Sequence, residues 1–194
     1  MPPPFVQRTL TRMPQDVEAG SDPRSERSAV VIPFGLPTAL ARIRRGWDEA
    51  GVAGAGPHVT ILYPFLPCAS LGRPVHTELA AIAHSVAAFD VRFERVRRFD
   101  GLLWIEPEPA NDFVALTSAV VARWPDHPPY GGAFDEVVPH LTVVESEVAP
   151  FDAVEAAALR AVPFSGRAER LELWCQDAAG RWRTRWRMPF GVRP

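Results

Sequence analysis

The chain contains no lysine: all 21 of its basic residues are arginine. That absence excludes chemistry built on a lysine amine, whether a Schiff base or a phosphate-loop lysine. Cysteine is almost as scarce. Cys68 and Cys175 stand far apart and in no CxxC pattern, which excludes a disulfide-stapled scaffold and a cysteine-rich zinc module. They read as two reduced thiols of a cytoplasmic protein, with a single Cys68–Cys175 disulfide left open. No long apolar run exists. Segments such as Ala87-Ala88-Phe89 fall far short of the ~20 residues that span a bilayer, and no apolar stretch follows Arg8 and Arg12 to make a signal peptide. Basic excess is missing too. A net charge of −2 and a pI near 6.2 exclude general electrostatic binding of long nucleic acid, which needs a basic stripe. A small phosphoester or a nucleic-acid end stays open, because one local site can hold it. Finally, the five histidines include no HExxH and have no acidic cluster at ligand spacing. No metal and no cofactor are therefore expected.

What is present is ordinary for a globular protein: 47% hydrophobic and 23% charged residues over 194 positions. Residues 1–27, with Pro2-Pro3-Pro4, Pro14 and Gly20-Ser21-Asp22-Pro23, read as a disordered leader without a catalytic role. From Ser28 a pattern runs twice. The first copy has an apolar strand at Ala29–Phe34. A helix follows over Pro37–Trp47 with Leu40, Ile43 and Trp47 on one face. After a glycine-rich loop at Gly51–Gly56 comes the strand Pro57-His58-Val59-Thr60-Ile61-Leu62-Tyr63. The second copy has a strand at Leu102–Pro107, then a helix from an N-cap at Asn111 to Trp124. A Pro/Gly-rich loop leads to Pro139-His140-Leu141-Thr142-Val143-Val144. Each copy continues with a helix, Val75–Ala88 or Phe151–Ala161, and an alternating strand, Phe89–Phe99 or Ser165–Cys175. A turn at Asp177–Gly180 then opens a hairpin into Arg181–Phe190. The two Pro-His motifs lie 140 − 58 = 82 residues apart. The reading is an α+β protein with a bilobal duplicated fold: lobes of about 28–99 and 100–194, two antiparallel-type sheets facing across a central cleft, and helices outside.

On a strand, side chains alternate faces, so His58 shares a face with Thr60, and His140 with Thr142. A fully buried strand would be apolar on both faces. Two polar groups on one face, in both copies, therefore suit a cleft wall. With 8 Thr and 21 Pro in 194 residues, two of five histidines in a Pro-His-x-Thr arise by chance roughly 0.02% of the time, whereas one His-x-Thr alone would be weak. The chemistry fits as well. Phosphodiester cleavage needs a base on the attacking oxygen and an acid on the leaving oxygen. Imidazole, with a reference pKa near 6.5, supplies both forms near neutrality. Threonine hydroxyls can hold the non-bridging oxygens.

Pro57-His58-Val59-Thr60-Ile61-Leu62-Tyr63-Pro64-Phe65 and Pro139-His140-Leu141-Thr142-Val143 resemble the two signature motifs of the 2H phosphoesterase superfamily, which includes RNA 2′,3′-cyclic phosphodiesterases known as 2′-5′ RNA ligases. The resemblance covers about residues 28–191. It implies a bilobal fold with both motifs on central strands, His58 and His140 as acid and base in either order, and Thr60 and Thr142 beside them. It also implies a metal-independent phosphoric diester hydrolase acting on a 2′,3′-cyclic or related RNA-end or nucleotide phosphoester. The alternative is a non-catalytic nucleotide or RNA-end binding module using the same cleft. The expected partner is that small phosphoester, with no membrane and no second subunit.

Other residues are open to two readings. Tyr63, Phe65, Trp104 and Tyr130 either stack on a base or pack in the core. Tyr63 and Tyr130 are the substrate candidates, Tyr130 because it sits in the loop before the second motif. Arg97, Arg98 and the run Arg181, Arg183, Arg185, Arg187 are either phosphate partners or solvated strand faces, and Arg98 joins the candidate substrate contacts. His76 and His84 read as surface residues on a helix, His127 as a Pro-rich-loop residue without a metal role, and Glu145 and Glu147 as strand-end surface carboxylates.

Overall fold

The computed structural model describes residues 27–99, 101–134 and 137–192. The expected leader lies outside the described residues except for its last position, Arg27. The first repeat gives β1 (Ser28–Pro33), α1 (Thr38–Trp47), a single helical turn α2 (Glu49–Val52), β2 (His58–Leu62), α3 (Arg73–His84) and β3 (Phe89–Phe99). The second gives β4 (Leu102–Glu108), α4 (Asn111–Arg123), β5 (Leu141–Glu145), α5 (Phe151–Leu159), β6 (Phe164–Ala168), β7 (Arg170–Gln176) and β8 (Trp182–Pro189).

Three local expectations are corrected. Asn111 is the first helical residue rather than the cap. Ala110 precedes α4, its carbonyl taking the amides of Phe113 and Val114 at 3.1 and 3.2 Å. The buried stripe of α1 is Leu40 and Arg44, while Trp47 is 39% exposed. Ile43 packs partly buried against the core as expected, but the buried Arg44–Asp48 pair takes the place expected for Trp47. The strand expected over Ser165–Cys175 is two strands, β6 and β7, parted by Glu169 alone.

That break reflects the topology. The strands form one eight-stranded antiparallel sheet in the order β6-β3-β4-β5-β2-β1-β7-β8, not two separate sheets. The two expected sheets are halves of this one sheet, β6-β3-β4-β5 and β2-β1-β7-β8, joined where Val59 of β2 meets Leu141 of β5. Nor are the halves the two stretches of sequence. β3 leaves the first repeat to pair with β4, and β7 leaves the second to pair with β1. β6 and β7 lie six strand spacings apart in the order, about 29 Å if the sheet were flat. The chain joins them through one residue, which reaches only about 7 Å. The sheet must therefore curl until its two edges approach.

One face carries the helices and the main core. Leu40, Leu79, Ala83, Phe113, Leu116, Val120, Val154 and Ala158 from the long helices pack there against Val30, Ile32, Val59, Ile61, Phe93, Leu103, Ile105, Leu141, Val143 and Leu171. Burying each such side chain contributes on the order of 1.5–3 kcal/mol, which fixes strand register because a slip of one residue would expose the whole set. The other face is open and holds a small second cluster of Ala29, Val31, Ala55 and Trp174, flanked by Tyr63 and Trp182. The cleft lies on this face. Among the described residues, no helix is long and apolar enough to cross a membrane.

Candidate active site

β2 and β5 are the two middle strands, and their alternation separates core from cleft. Val59 and Leu141 are fully buried on the helix side. His58, Thr60, His140 and Thr142 all line one cavity of about 350 Å³ on the other side. Continuing the Val59–Leu141 pairing by one residue each way sets His58 across from Thr142 and Thr60 across from His140. The two histidines are then diagonal neighbours, with Cβ atoms somewhat less than about 7–8 Å apart. That spacing lets both imidazoles reach one small group between them.

The two rings are held alike. His58 Nδ1 lies 2.7 Å from the Gly56 carbonyl, and His140 Nδ1 lies 2.8 Å from the Val138 carbonyl. A carbonyl only accepts, so each Nδ1 carries the hydrogen and donates, which leaves Nε2 as the atom for chemistry. An indole edge supports each ring. Trp174 meets His58 at a centroid distance of 4.8 Å, and Trp104 meets His140 at 5.7 Å. Trp174 is itself fixed through Nε1, which donates to the Glu172 carboxylate at 2.8 Å.

Burial dominates the electrostatics. It pulls the His58 pKa down to about 4, and the nearby positive charges of Arg44 and His140 push the same way against the raising effect of the Gly56 carbonyl. Burial also lowers the His140 pKa, opposed by the Val138 carbonyl. Burial thus favours the neutral form of both imidazoles. A phosphate charge placed between them favours protonation of one.

Arg27, Tyr63, Gln176 and Trp182 also line the cleft, and Arg27 Nη1 donates to the Tyr63 hydroxyl at 3.3 Å. Glu49, Tyr130 and Glu145 line it as well. Burial raises the Glu145 pKa, and the neighbouring carboxylates of Asp48 and Glu49 raise it further. Burial raises that of Tyr130 strongly, with a smaller push from Glu145. Tyr130 sits in the left-handed region, φ 52°, and its amide donates to the Tyr63 carbonyl at 2.6 Å. That bond ties the second repeat's loop to the end of β2.

Of the candidate substrate residues, Tyr63 and Tyr130 line the cleft, and Arg98 does not. Arg98 pairs in register with buried Leu103 and so faces the helices. There its guanidinium meets Asp152 at 2.6 Å and Glu155 at 3.3 Å and lies over the Phe151 ring. One residue of strand register decides this. Arg97, its neighbour, faces the open side but bonds Glu106 at 2.8 Å. Phe65 belongs to the core, edge-on to Trp124. The run on β8 is largely engaged: Arg187 with Glu172, Arg183 with Asp177, and Arg185 over Trp186. Glu145, expected at the surface, is a cleft wall. Sequence reasoning missed Arg27, Arg44, Trp174 and Trp182. For Arg44 a signal did exist, an Arg44–Asp48 pair at i,i+4 beside a buried Leu40. Among the described residues no cluster of three or more His, Cys, Asp or Glu is arranged to hold a metal ion.

A curled antiparallel sheet with a His-x-Thr on each middle strand defines a class, and comparison agrees with it. A family model described as the 2′-5′ RNA ligase superfamily matches residues 33–180. The chain belongs to that superfamily, the 2H phosphoesterases. Three solved structures are similar in fold. LigT of Escherichia coli, complexed with 3′-AMP, is 15% identical, with a TM-score of 0.50 over 86% of this chain and 98% of that one. TT0787 of Thermus thermophilus is 16% identical, with a TM-score of 0.55 over 87% and 100%. A protein described as a phosphoesterase is 17% identical, with a TM-score of 0.50 over 86% and 99%. No curated protein matches by sequence.

Proposed function

We propose that the protein is a metal-independent phosphodiesterase that hydrolyses a 2′,3′-cyclic or related RNA-end or nucleotide phosphoester by paired-histidine acid–base catalysis. The observation that carries this reading is the matched pair of imidazoles. Both are tethered through Nδ1 to a backbone carbonyl two residues upstream, and both line one cavity. A binding module would need neither the tether nor the match.

In the proposed reaction His58, held neutral by burial and by the nearby Arg44 charge, is the base. Its Nε2 takes a proton from water as the water oxygen bonds to phosphorus. The bond from phosphorus to the leaving ribose oxygen breaks, and that oxygen takes a proton from Nε2–H of His140. The products are a phosphomonoester and a free hydroxyl. Thr60 and Thr142 donate to the non-bridging oxygens, whose charge grows in the transition state. Tyr63 and Tyr130 bound the space beside the phosphate and are the proposed nucleoside contacts. The 3′-AMP bound by LigT is a ligand of that size.

A panel of nucleoside 2′,3′-cyclic phosphates, 2′-5′-linked dinucleotides and linear phosphodiesters tests the proposal on wild type and His58→Ala. Turnover of at least one substrate class, lost in the variant, is expected. Binding of nucleotides without turnover across the whole panel would instead establish the non-catalytic module.

A further inference from the structure

The two motif strands meet at one paired position, Val59 with Leu141. A short ladder holds strands in place weakly, yet the proposed chemistry needs their histidines at fixed separation. Other bonds must set it. Thr117 of α4 is buried, and its hydroxyl donates to the Ile61 carbonyl on β2 at 3.0 Å. Arg44 of α1 is 4% exposed, and its Nη1 donates to the Thr142 carbonyl on β5 at 2.6 Å. Each repeat's first long helix thus grips the motif strand of the other repeat.

The Arg44 grip is the more extensive. Its Nη2 donates to the Ala55 carbonyl at 3.0 Å and the Gly56 carbonyl at 3.3 Å, and it pairs with Asp48 at 2.9 Å. Gly56 is the residue whose carbonyl orients His58. Asp48 is fully buried and accepts the Glu145 amide at the end of β5 at 3.2 Å and the Gly51 amide at 2.7 Å. A Cβ at position 51 would sit 2.7 Å from Asp48 Oδ2, so glycine there lets the pair close against backbone. Arg44 also lines the cavity, and both of its terminal nitrogens are engaged with backbone and Asp48, so its hydrogen bonds hold these groups in place.

We infer that Arg44, with Asp48, and Thr117 are positioning residues that set the separation and aim of His58 and His140 by clamping each motif strand from the opposite repeat. The inference rests on the phosphodiesterase reading for its kinetic arm only. Misplacing a reacting group by about 1 Å can cost on the order of 100-fold in rate. A lysine at 44 keeps the charge but lacks the planar fork that spans several acceptors.

The experiment uses Arg44→Lys, Thr117→Val, the double variant and Thr117→Ser on the full chain. Turnover is followed on the best phosphoester of the panel. In parallel, NMR follows both imidazoles during titration with inorganic phosphate. Arg44→Lys and Thr117→Val should each lower kcat about 10–100-fold with little change in KM. The double variant should lose less than the product of the two, because both release one geometry, and Thr117→Ser should restore activity. Phosphate should perturb both imidazoles in wild type and only one in the double variant. Folded variants, judged by melting, with kcat within about twofold of wild type would overturn the inference. So would losses that follow melting temperature and vanish on cooling. If wild type turns over nothing, yet phosphate engages both imidazoles and the double variant loses one, the clamp stands and the phosphodiesterase reading falls. If turnover is normal in every variant, the clamp falls and the reading stands.

Discussion

Folding holds the His58 pKa at about 4, chiefly through burial, whereas an unfolded histidine titrates near 6.5. The unfolded state therefore binds a proton between these values and the folded state does not. The sign follows: a group depressed on folding costs nothing at high pH, and stability is lost as pH falls from about 6.5 toward 4. For a shift of ~2.5 units the full loss is about 3 kcal/mol, of which about 2 kcal/mol has accrued by pH 5. Glu145 has its pKa raised, so its contribution runs the other way, and wild type alone mixes the two. Comparison with His58→Gln, which cannot protonate, isolates the histidine. Urea unfolding at pH 7.5, 6.5, 5.5 and 5.0 should show wild type losing about 2 kcal/mol more than the variant over that range. Equal slopes for both proteins would show that His58 titrates normally, and the neutral-base assignment would lose its electrostatic basis.

Other outcomes follow from the same geometry. His140→Ala should lower kcat/KM by about 10²–10⁴-fold, and the wild-type profile of kcat/KM should be bell-shaped with pH. A profile flat from about pH 5 to 9 would remove the paired-histidine mechanism. Incubation with EDTA should leave turnover unchanged. Loss that a divalent ion restores would show that a metal takes part. Arg27→Ala should raise KM for an anionic substrate severalfold and leave kcat nearly intact, because Arg27 lines the cleft without touching either histidine's tether. A fall in kcat alone would place Arg27 in the chemistry instead.

Alternation along a strand is a local property, so the sequence alone determined which side chains of the Pro-His-x-Thr segments share a face. It determined equally that Val59 and Leu141 turn to the core, and the repetition marked two such strands and their flanking helices. Partner choice is not local. Nothing in the period of β3 or β7 shows that the two strands exchange halves, or that one residue, Glu169, turns the chain from β6 to β7 at the meeting edges of a curled sheet. The same gap explains the side-chain errors. Arg98 and Arg97 differ by one residue of register, and that step alone sends the first to α5 and leaves the second on the open face. Arg44 is buried because its acceptors include a carbonyl 98 residues away, a compensation that only the folded chain supplies. Arg27, assigned to the leader, is held by the Gln176 amide on its carbonyl at 2.7 Å and thereby joins the cleft. Tertiary structure decided which polar groups found partners, since burying a charge is tolerable only where distant backbone and side chains converge to meet it.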